Sequence, residues 1–417
     1  MNRRVRQISE IGMDFADAPF GTKLKTKDYT DEGVPVIQGR NIKENRFEWN
    51  HALYVSPQKF LELRRSHCRE GDLVFPKIGT IGITAIMPKV EGHSTFLLST
   101  NMMKMSVDPN VADLRYVYFY FCQQHIRDKI RSTAGGSSQP IFNFTTLKAF
   151  EIELPSLTEQ ERIASVLSAY DDLIVNNTRH IKILEEMAQM LYREWLVNFR
   201  FPSHQEVKFM ESESGPIPAG WMPKRLGDLC AETRRGVDPG EIDPATPYIG
   251  LEHLPRKSIA LGEWGRAGDV GSTKLRFKRG EILFGKIRPY FHKVGVAPID
   301  GVASSDAIVI VPNDPAYFGL VLCCVSSEDF VRHATQTSQG TKMPRANWDV
   351  LTKYPLPLPS GALLKQFNGI IHPIVEMLQN LVFRNRNLRT TRDFLLPKLI
   401  SGEIPVEAVA ELVEQAV

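Results

Sequence analysis

Apolar residues between Ile163 and Trp195 recur at alternating spacings of four and three: Ile163, Leu167, Tyr170, Ile174, then Ile181, Leu184, Ala188, Leu191 and Trp195, with Asn177 as the one polar seam position. This is the heptad pattern of a coiled coil, and it predicts one long helix whose apolar stripe needs a second helix to cover it. A buried Asn in such a seam fixes register and partner choice at some cost in stability, which gives Asn177 an alignment role. Near the other end of the chain Phe367, Ile371, Ile374, Leu378, Leu381, Asn385, Leu388 and Leu395 follow comparable spacing, again with a central Asn and with Arg392 as the one lapse. Two such helices in one chain most economically pack against each other; an amphipathic helix lying on a globular core is the alternative. Each is entered through "LPS", where proline followed by a hydroxyl residue favours a helix start, so Ser156 or Thr158 is the expected cap of the first. Pro373 is expected in the first turns of the second, where proline is tolerated best.

Between the helical stretches the pattern shortens. Apolar, β-rich runs such as "GDLVFPKIG" (71 to 79) and "DAIVIVP" (306 to 312) alternate with turn residues, and "DLRYVYFYFCQQHIRDKI" (113 to 130) is helical, which reads as compact α+β structure. These stretches occur twice. "GVPVIQGRNI" (33 to 42) returns as "TPYIGLEHL" (246 to 254), and "REGDLVFPKIG" (69 to 79) as "KRGEILFGKIR" (278 to 288). "GGSSQPIFNFTTL" (135 to 147) faces "QGTKMPRANWDVL" (339 to 351), pairing Asn143 with Asn347, and "IELPS" (152 to 156) faces "LPLPS" (356 to 360). The offset shrinks smoothly from 212 at Pro35/Pro247 through 209 at Gly71/Gly280 to 204 at Pro155/Pro359, as loop insertions and deletions in a duplicated chain would produce. The order becomes globe, long helix, globe, long helix.

Bulk properties change this picture little. A chain of 417 residues suits two or three folded units, and 42% hydrophobic with 24% charged residues excludes disorder and fibrous repeats. A net charge of +3 permits a polyanionic partner without demanding one. Cys68, Cys122, Cys230, Cys323 and Cys324 form no CxxC pair, so neither a disulfide framework nor structural zinc is expected. Reduced thiols, no apolar run of about 18 residues and no apolar signal stretch in "MNRRVRQISEIG" together point to a soluble, cytoplasmic protein without a membrane partner. "GDVGSTK" (268 to 274) lacks the glycine a phosphate loop places before its lysine, and no GxGxxG, HExxH or GxSxG occurs in a fitting context. Asp171 and Asp172 are read as a solvated helix face. No catalytic residue and no metal site is assigned.

Basic and polar groups in the globes suggest binding instead. Lys23, Lys25 and Lys27 stand two apart, so in an extended segment they project from one face and follow phosphates, or blunt an edge strand. The matched loops "GGSSQP" and "QGTKMP" combine glycines with Ser137, Ser138, Gln139, Thr341 and Lys342, which suit phosphates or base edges, and Arg345 follows the second. "GKIRPYFHK" (285 to 293) adds Lys286, Arg288 and Tyr290. Arg40, Asn41 and Lys77 in the first half, and Arg234 and Arg235 in the second, complete the candidate DNA contacts. A coiled-coil scaffold whose globes bind protein, and a nuclease with a diffuse metal site, are the other classes considered.

Taken in order, "DAPFGTKLKTKDYTDEGVPVIQGRNI", "LPSLTEQERIASVLSAYDDLIVNN" running into "LYREWLVNF", the restart "GPIPAGWMPKRLGDL" and the terminal "LLPKLISGEI" resemble the specificity subunits of Type I restriction-modification systems over nearly the whole chain. The resemblance implies an α+β fold: two duplicated α/β target recognition domains separated by two long antiparallel helices forming an intramolecular coiled coil. It divides the chain into a first recognition domain (1–155), a central spacer helix (156–200), a linker (201–215), a second recognition domain (216–359), a C-terminal spacer helix (360–402) and a tail (403–417). It further implies a noncatalytic reader of double-stranded DNA, each domain taking half of a bipartite asymmetric target. Two modification subunits would carry the S-adenosylmethionine chemistry, and restriction subunits the ATP- and Mg-dependent steps, so this chain needs no cofactor. Two departures stand out: the first domain opens without the Trp that precedes the second, and the second helix reads "LLKQFNGI" in place of "TEQERIAS".

Overall fold

A computed structural model describes residues 3–19, 23–49, 53–135, 140–212 and 215–409. The chain divides into two compact units, Met1–Asp172 with Leu388–Val417, and Leu173–Asn387, so the boundary cuts both long helices.

The first long helix spans Leu157–Tyr192 and ends in a π turn, Arg193–Val197. Ser156 caps it: the Glu159 N–H donates to Ser156 Oγ at 3.3 Å, while Thr158 lies inside the helix. The second spans Gly361–Ser401, with Ser360 as the matching cap, the Leu363 N–H donating to its Oγ at 3.4 Å. Pro373 is therefore in the helix interior and not in its first turns. The rod continues because Pro373 and Gly369 are exposed, so the Gly369 carbonyl that loses its helical donor faces water, while Ile371, Ile374 and Val375 are buried on the other side.

Each unit contains an antiparallel pairing of the two helices. In the unit Leu173–Asn387, Ile181, Leu184, Ala188 and Leu191 share a core with Phe367, Ile371, Ile374 and Leu378, and the Trp195 and Phe367 rings lie 6.2 Å apart. Buried Ile174 and Leu381 extend the stripe toward Asn177, whose Nδ2 donates to Asn385 Oδ1 at 2.9 Å. In the other unit Ile163, Ala164 and Leu167 pack with Leu395, Leu396 and Leu399, with Tyr170 partly buried against them. Leu388 is half-buried. Arg392, the break in the second seam, is an ion-pair partner of Asp171, with Asp393 at 2.8 Å on its other side. Burial opposes its charge, but these carboxylates hold its pKa above the ordinary value. Asp171 is thus a buried-side ion-pair residue and not part of a solvated face.

The duplication is visible strand by strand. The first unit has an antiparallel sheet in the order Ala85–Ile86, Leu73–Pro76, Met102–Val107, Gly12–Asp17; the second has Val294–Val296, Ile282–Gly285, Ala307–Pro312, Cys230–Glu232. Central strands such as Leu73–Pro76 and Ile282–Gly285 are buried along their whole length, as their unbroken apolar runs require. A five-stranded sheet accompanies each. His67–Arg69, Thr95–Leu98, Val34–Ile37, Leu53–Val55 in the first matches Lys274–Phe277, Gly301–Ala303, Pro247–Ile249, Gly265–Arg266 in the second, with one parallel pair at the same place. The fifth strand is added at opposite ends, Tyr29–Thr30 beside Leu53–Val55 and Gly236–Val237 beside Lys274–Phe277. The helical stretch after these sheets is two helices in each unit, Leu114–Cys122 and Gln124–Thr133, then Phe318–Val325 and Glu328–Gln336.

Both units also close alike. Arg4–Gln7 pairs with Glu151–Leu154, and Met222 and Arg225 bridge Leu358 and Pro355. The first unit therefore closes without a Trp, because the Trp serves another purpose: Trp221 packs on Phe199 (5.3 Å) and Phe201 (5.5 Å), which follow the first long helix.

Candidate nucleic-acid interface

Two loops in each unit are locked together by main-chain bonds. In the second unit the chain leaves strand Ile282–Gly285 at Lys286, and a hairpin closes between Gln339 and Arg345 through a pair of N–H to carbonyl bonds of 2.8 and 3.0 Å. The hairpin docks on the strand exit: the Arg288 N–H donates to Pro344 O at 2.7 Å and the Ala346 N–H to Lys286 O at 2.9 Å. Glycine is required at its tip, since Gly340 has φ +102° and the Met343 carbonyl lies 3.3 Å from where a Cβ would sit. Asn347 then caps the next helix, its Oδ1 accepting the Asp349 N–H at 2.9 Å.

The first unit repeats this frame. The Ile141 N–H donates to Gly135 O at 2.8 Å, the Phe142 N–H to Lys77 O at 2.9 Å, and Asn143 Oδ1 accepts the Thr146 N–H at 3.0 Å. Lys77 N–H bonds Asn101 O (2.8 Å) as Lys286 N–H bonds Asp306 O (3.0 Å). These shared main-chain bonds recur under different side chains.

In the second unit those side chains form a basic surface. Thr341, Lys342, Arg345 and Tyr290 are exposed, and Lys286 and Arg288 are half-buried. Arg288 Nη2 donates to Lys342 O at 3.4 Å, Lys286 Nζ to Ser305 O at 2.6 Å, and Arg345 faces Asp306 at 3.7 Å. Arg256 joins them, its guanidinium 4.1 Å above the Phe291 ring beside Tyr290. Sequence reading missed Arg256 because only the bridge between Arg256 and Lys293 brings it here. His292 is buried, bonded to Ser326 O at 2.9 Å, and burial lowers its pKa, so it serves the loop as a neutral ring.

The other candidates are scattered. Ser137, Ser138 and Gln139 lie outside the described residues. Lys23, Lys25 and Lys27 are exposed but do not form an extended row: Thr26–Asp28 is a 3-10 turn, with the Lys25 N–H donating to Asp28 Oδ2 at 2.7 Å, so a spacing of two does not repeat one face. Asn41 is buried and serves its own loop, accepting the Gln38 N–H at 2.9 Å and donating to Glu48 O at 3.3 Å. Exposed Arg40 sits on the same turn, whose Gly39 approaches Thr80 of the loop after Lys77. Lys77 Nζ pairs with Asp17 at 2.6 Å, Arg234 with Glu232 at 2.7 Å, and Arg235 with Glu281. Arg131, unnoticed in the sequence, is exposed and donates to Ile81 O at 3.3 Å, placing another cation by that loop.

Among the described residues no group of three or more His, Cys, Asp or Glu is arranged to hold a metal ion, and no helix is long and apolar enough to cross a membrane. The cysteines are free; burial pushes the Cys122, Cys230 and Cys324 thiols up to about 12, so they are packing groups and not nucleophiles.

A duplicated mixed α+β globe with a polar loop frame, packed in each unit with the two long helices, defines the fold class. Residues 7–186 match the family described as the Type I restriction modification DNA specificity domain. The MjaIX specificity subunit of Methanocaldococcus jannaschii is 27% identical over 97% of this chain and 94% of its own length. The EcoDI specificity subunit of Escherichia coli is 23% identical over 73% of each. The crystal structure of an S subunit from M. genitalium shares the fold, with a TM-score of 0.58, 14% identity and 96% coverage of both chains. Over these stretches the chain is similar in sequence to Type I restriction-modification specificity subunits, and it shares the fold of an S subunit.

Proposed function

We propose that the chain reads a bipartite, asymmetric sequence in double-stranded DNA, one half per recognition domain, within a cytoplasmic Type I complex. The observation that carries this is the repeated hairpin-on-loop frame: the Ile141 N–H to Gly135 O and Phe142 N–H to Lys77 O bonds match Arg345 N–H to Gln339 O and Ala346 N–H to Lys286 O under different side chains. Lys286, Lys342 and Arg345 supply phosphate contacts, which give affinity without sequence preference. Arg288, Thr341 and Tyr290, with Ser137, Ser138 and Gln139 of the other hairpin, discriminate bases at about 1–3 kcal/mol per good bidentate pair.

The recognition domains extend over 1–155 and 216–359, and the spacers over 156–200 and 360–402. The first spacer's 36-residue helix is about 54 Å long. That exceeds one turn of duplex, about 34 to 36 Å, so paired rods of this length set the gap between half-sites. Exposed apolar residues on the rods, Val175, Ile183, Met187, Met190, Ile370 and Met377, support docking of two modification subunits. S-adenosylmethionine chemistry belongs to those subunits, and ATP and Mg to the restriction subunits.

Methylome sequencing of cells with and without this chain tests the reading. One motif of two short words with a fixed gap is expected, and exchanging residues 1–155 for another head changes one word only. A heptad added to each rod beside Asn177 and Asn385 widens the gap by about three base pairs, from about 10 Å of added helix. No bipartite motif, or a change in both words, overturns the proposal. Purified chain that binds DNA without salt dependence returns the protein-scaffold alternative.

A further inference from the structure

We infer that Asp171 and Glu185, two heptads apart on the first long helix, are positioning residues that each clamp one recognition domain and so hold the gap to a single length. The inference rests on the function proposed above.

Both carboxylates occupy the heptad place that directly follows a seam residue, Asp171 after Tyr170 and Glu185 after Leu184. Between them stands Thr178 after Asn177, whose Oγ1 accepts from Asn385 Nδ2 at 3.3 Å. This flanking row is where a helix reaches past its partner to a third body. Asp171 Oδ1 accepts from Arg46 Nη2 at 2.7 Å and also from Arg392 of the second long helix. Arg46 belongs to the small hairpin of strands Ile42–Lys43 and Arg46–Phe47 in the first domain, and Tyr118 holds the hairpin turn through Asn45 O at 2.8 Å. Glu185 Oε1 accepts three bonds from one loop of the second domain: Ser258 Oγ at 2.6 Å, the Ile259 N–H at 2.7 Å and the Ala260 N–H at 3.0 Å.

The two clamped loops are equivalents. Ser258 stands 212 positions after Arg46, the offset that relates Pro247 to Pro35. The duplicated domain thus meets the rod through the same loop in both units, by a guanidinium in one and by a hydroxyl with two amides in the other.

Direction matters here more than strength. Apolar packing surrounds these clamps, as with Ile259 and Ala260 against Val375 and Leu378, and in the second domain Gln189 adds a hydrogen bond to Cys323 O and Asn368 one from the Gly319 N–H. Apolar packing is non-directional and tolerates small slides. Charge-assisted hydrogen bonds to a largely desolvated carboxylate are short and orientation-dependent, so they select one seating. Asp171 retains 16% side-chain exposure, low enough for water not to substitute for Arg46 and Arg392 freely.

The test compares wild type, Arg46→Ala and Glu185→Ala by methylome sequencing in the assembled complex, with Arg46→Lys and Glu185→Gln as conservative counterparts. Both alanine variants are expected to keep the half-site words and to lose about tenfold of the preference for the wild-type gap over gaps one base pair longer or shorter, equivalent to about 1.4 kcal/mol. The Lys and Gln variants are expected to restore most of it. An unchanged gap preference, altered words, or loss of all methylation in both members of a pair overturns the inference. A wild-type chain that shows no bipartite motif refutes the underlying function instead.

Discussion

Replacing Asn177 by Leu removes the donor to Asn385 Oδ1 in a seam where the two residues are 8% and 5% exposed, so no water takes its place. A buried polar group stripped of its partner costs about 1–3 kcal/mol, and Asn177→Leu is expected to lose stability by that amount. Asn385→Leu is expected to cost a similar amount, since it strands Asn177 Nδ2; Thr178 suffers little, because its hydroxyl keeps Ile174 O at 2.7 Å. The double variant removes donor and acceptor together and leaves two apolar side chains of similar size in a leucine-rich seam. It is therefore expected within about 1 kcal/mol of wild type, so that most of the summed single losses, at least about 1 kcal/mol, appears as coupling between the two sites. Urea unfolding of the purified chain, followed by far-UV circular dichroism for all four proteins, measures the cycle. Additive losses in the double variant would refute the buried-pair argument, and the alignment role with it.

Two further perturbations address the loops and the clamp. Lys342→Ala with Arg345→Ala is expected to weaken binding to unrelated duplexes uniformly and to lower the slope of log K against log salt by about 1.8, as two lost phosphate contacts require; an unchanged slope places those side chains off the DNA. Burial lifts the Glu185 carboxyl above its ordinary value of 4.5 despite three hydrogen-bond donors, and Glu186 pushes in the same direction. A folded pKa above the unfolded one gives stability that is full below the unfolded value and declines as pH rises through the folded one. Glu185→Gln keeps the acceptor and loses the titration, so wild-type stability relative to the variant is expected to fall from about pH 4.5 upward; urea midpoints that diverge the other way contradict it.

What the chain discloses in one dimension is periodic or local. The heptad seam, the paired Asn residues and the helix caps depend on neighbours within a few positions, and the duplication shows because Gly, Pro and Asn at turns keep their order. Arg392 looked like a lapse in its seam because Asp171 and Arg46, its reasons, are remote in sequence. Pro373 was misplaced because solvent exposure, which makes an interior proline bearable, is a tertiary property. The lysine row failed on a turn that Asp28 organises, and Arg256 reaches the basic surface only through a bridge to Lys293.

The contrast between the two loop frames explains how a duplicated reader can be retargeted without refolding. The bonds that recur in both hairpins are main-chain to main-chain, and the second turn asks for glycine at 340. The side chains of Thr341 and Lys342 are exposed, and substitutions there cost little stability because nothing in the core depends on them. On the function proposed above, specificity and fold are carried by different atoms of the same loop. The remaining demand is that each head be seated at one angle on the rod, and that demand falls on directional contacts outside the reading face, which is where Asp171 and Glu185 stand.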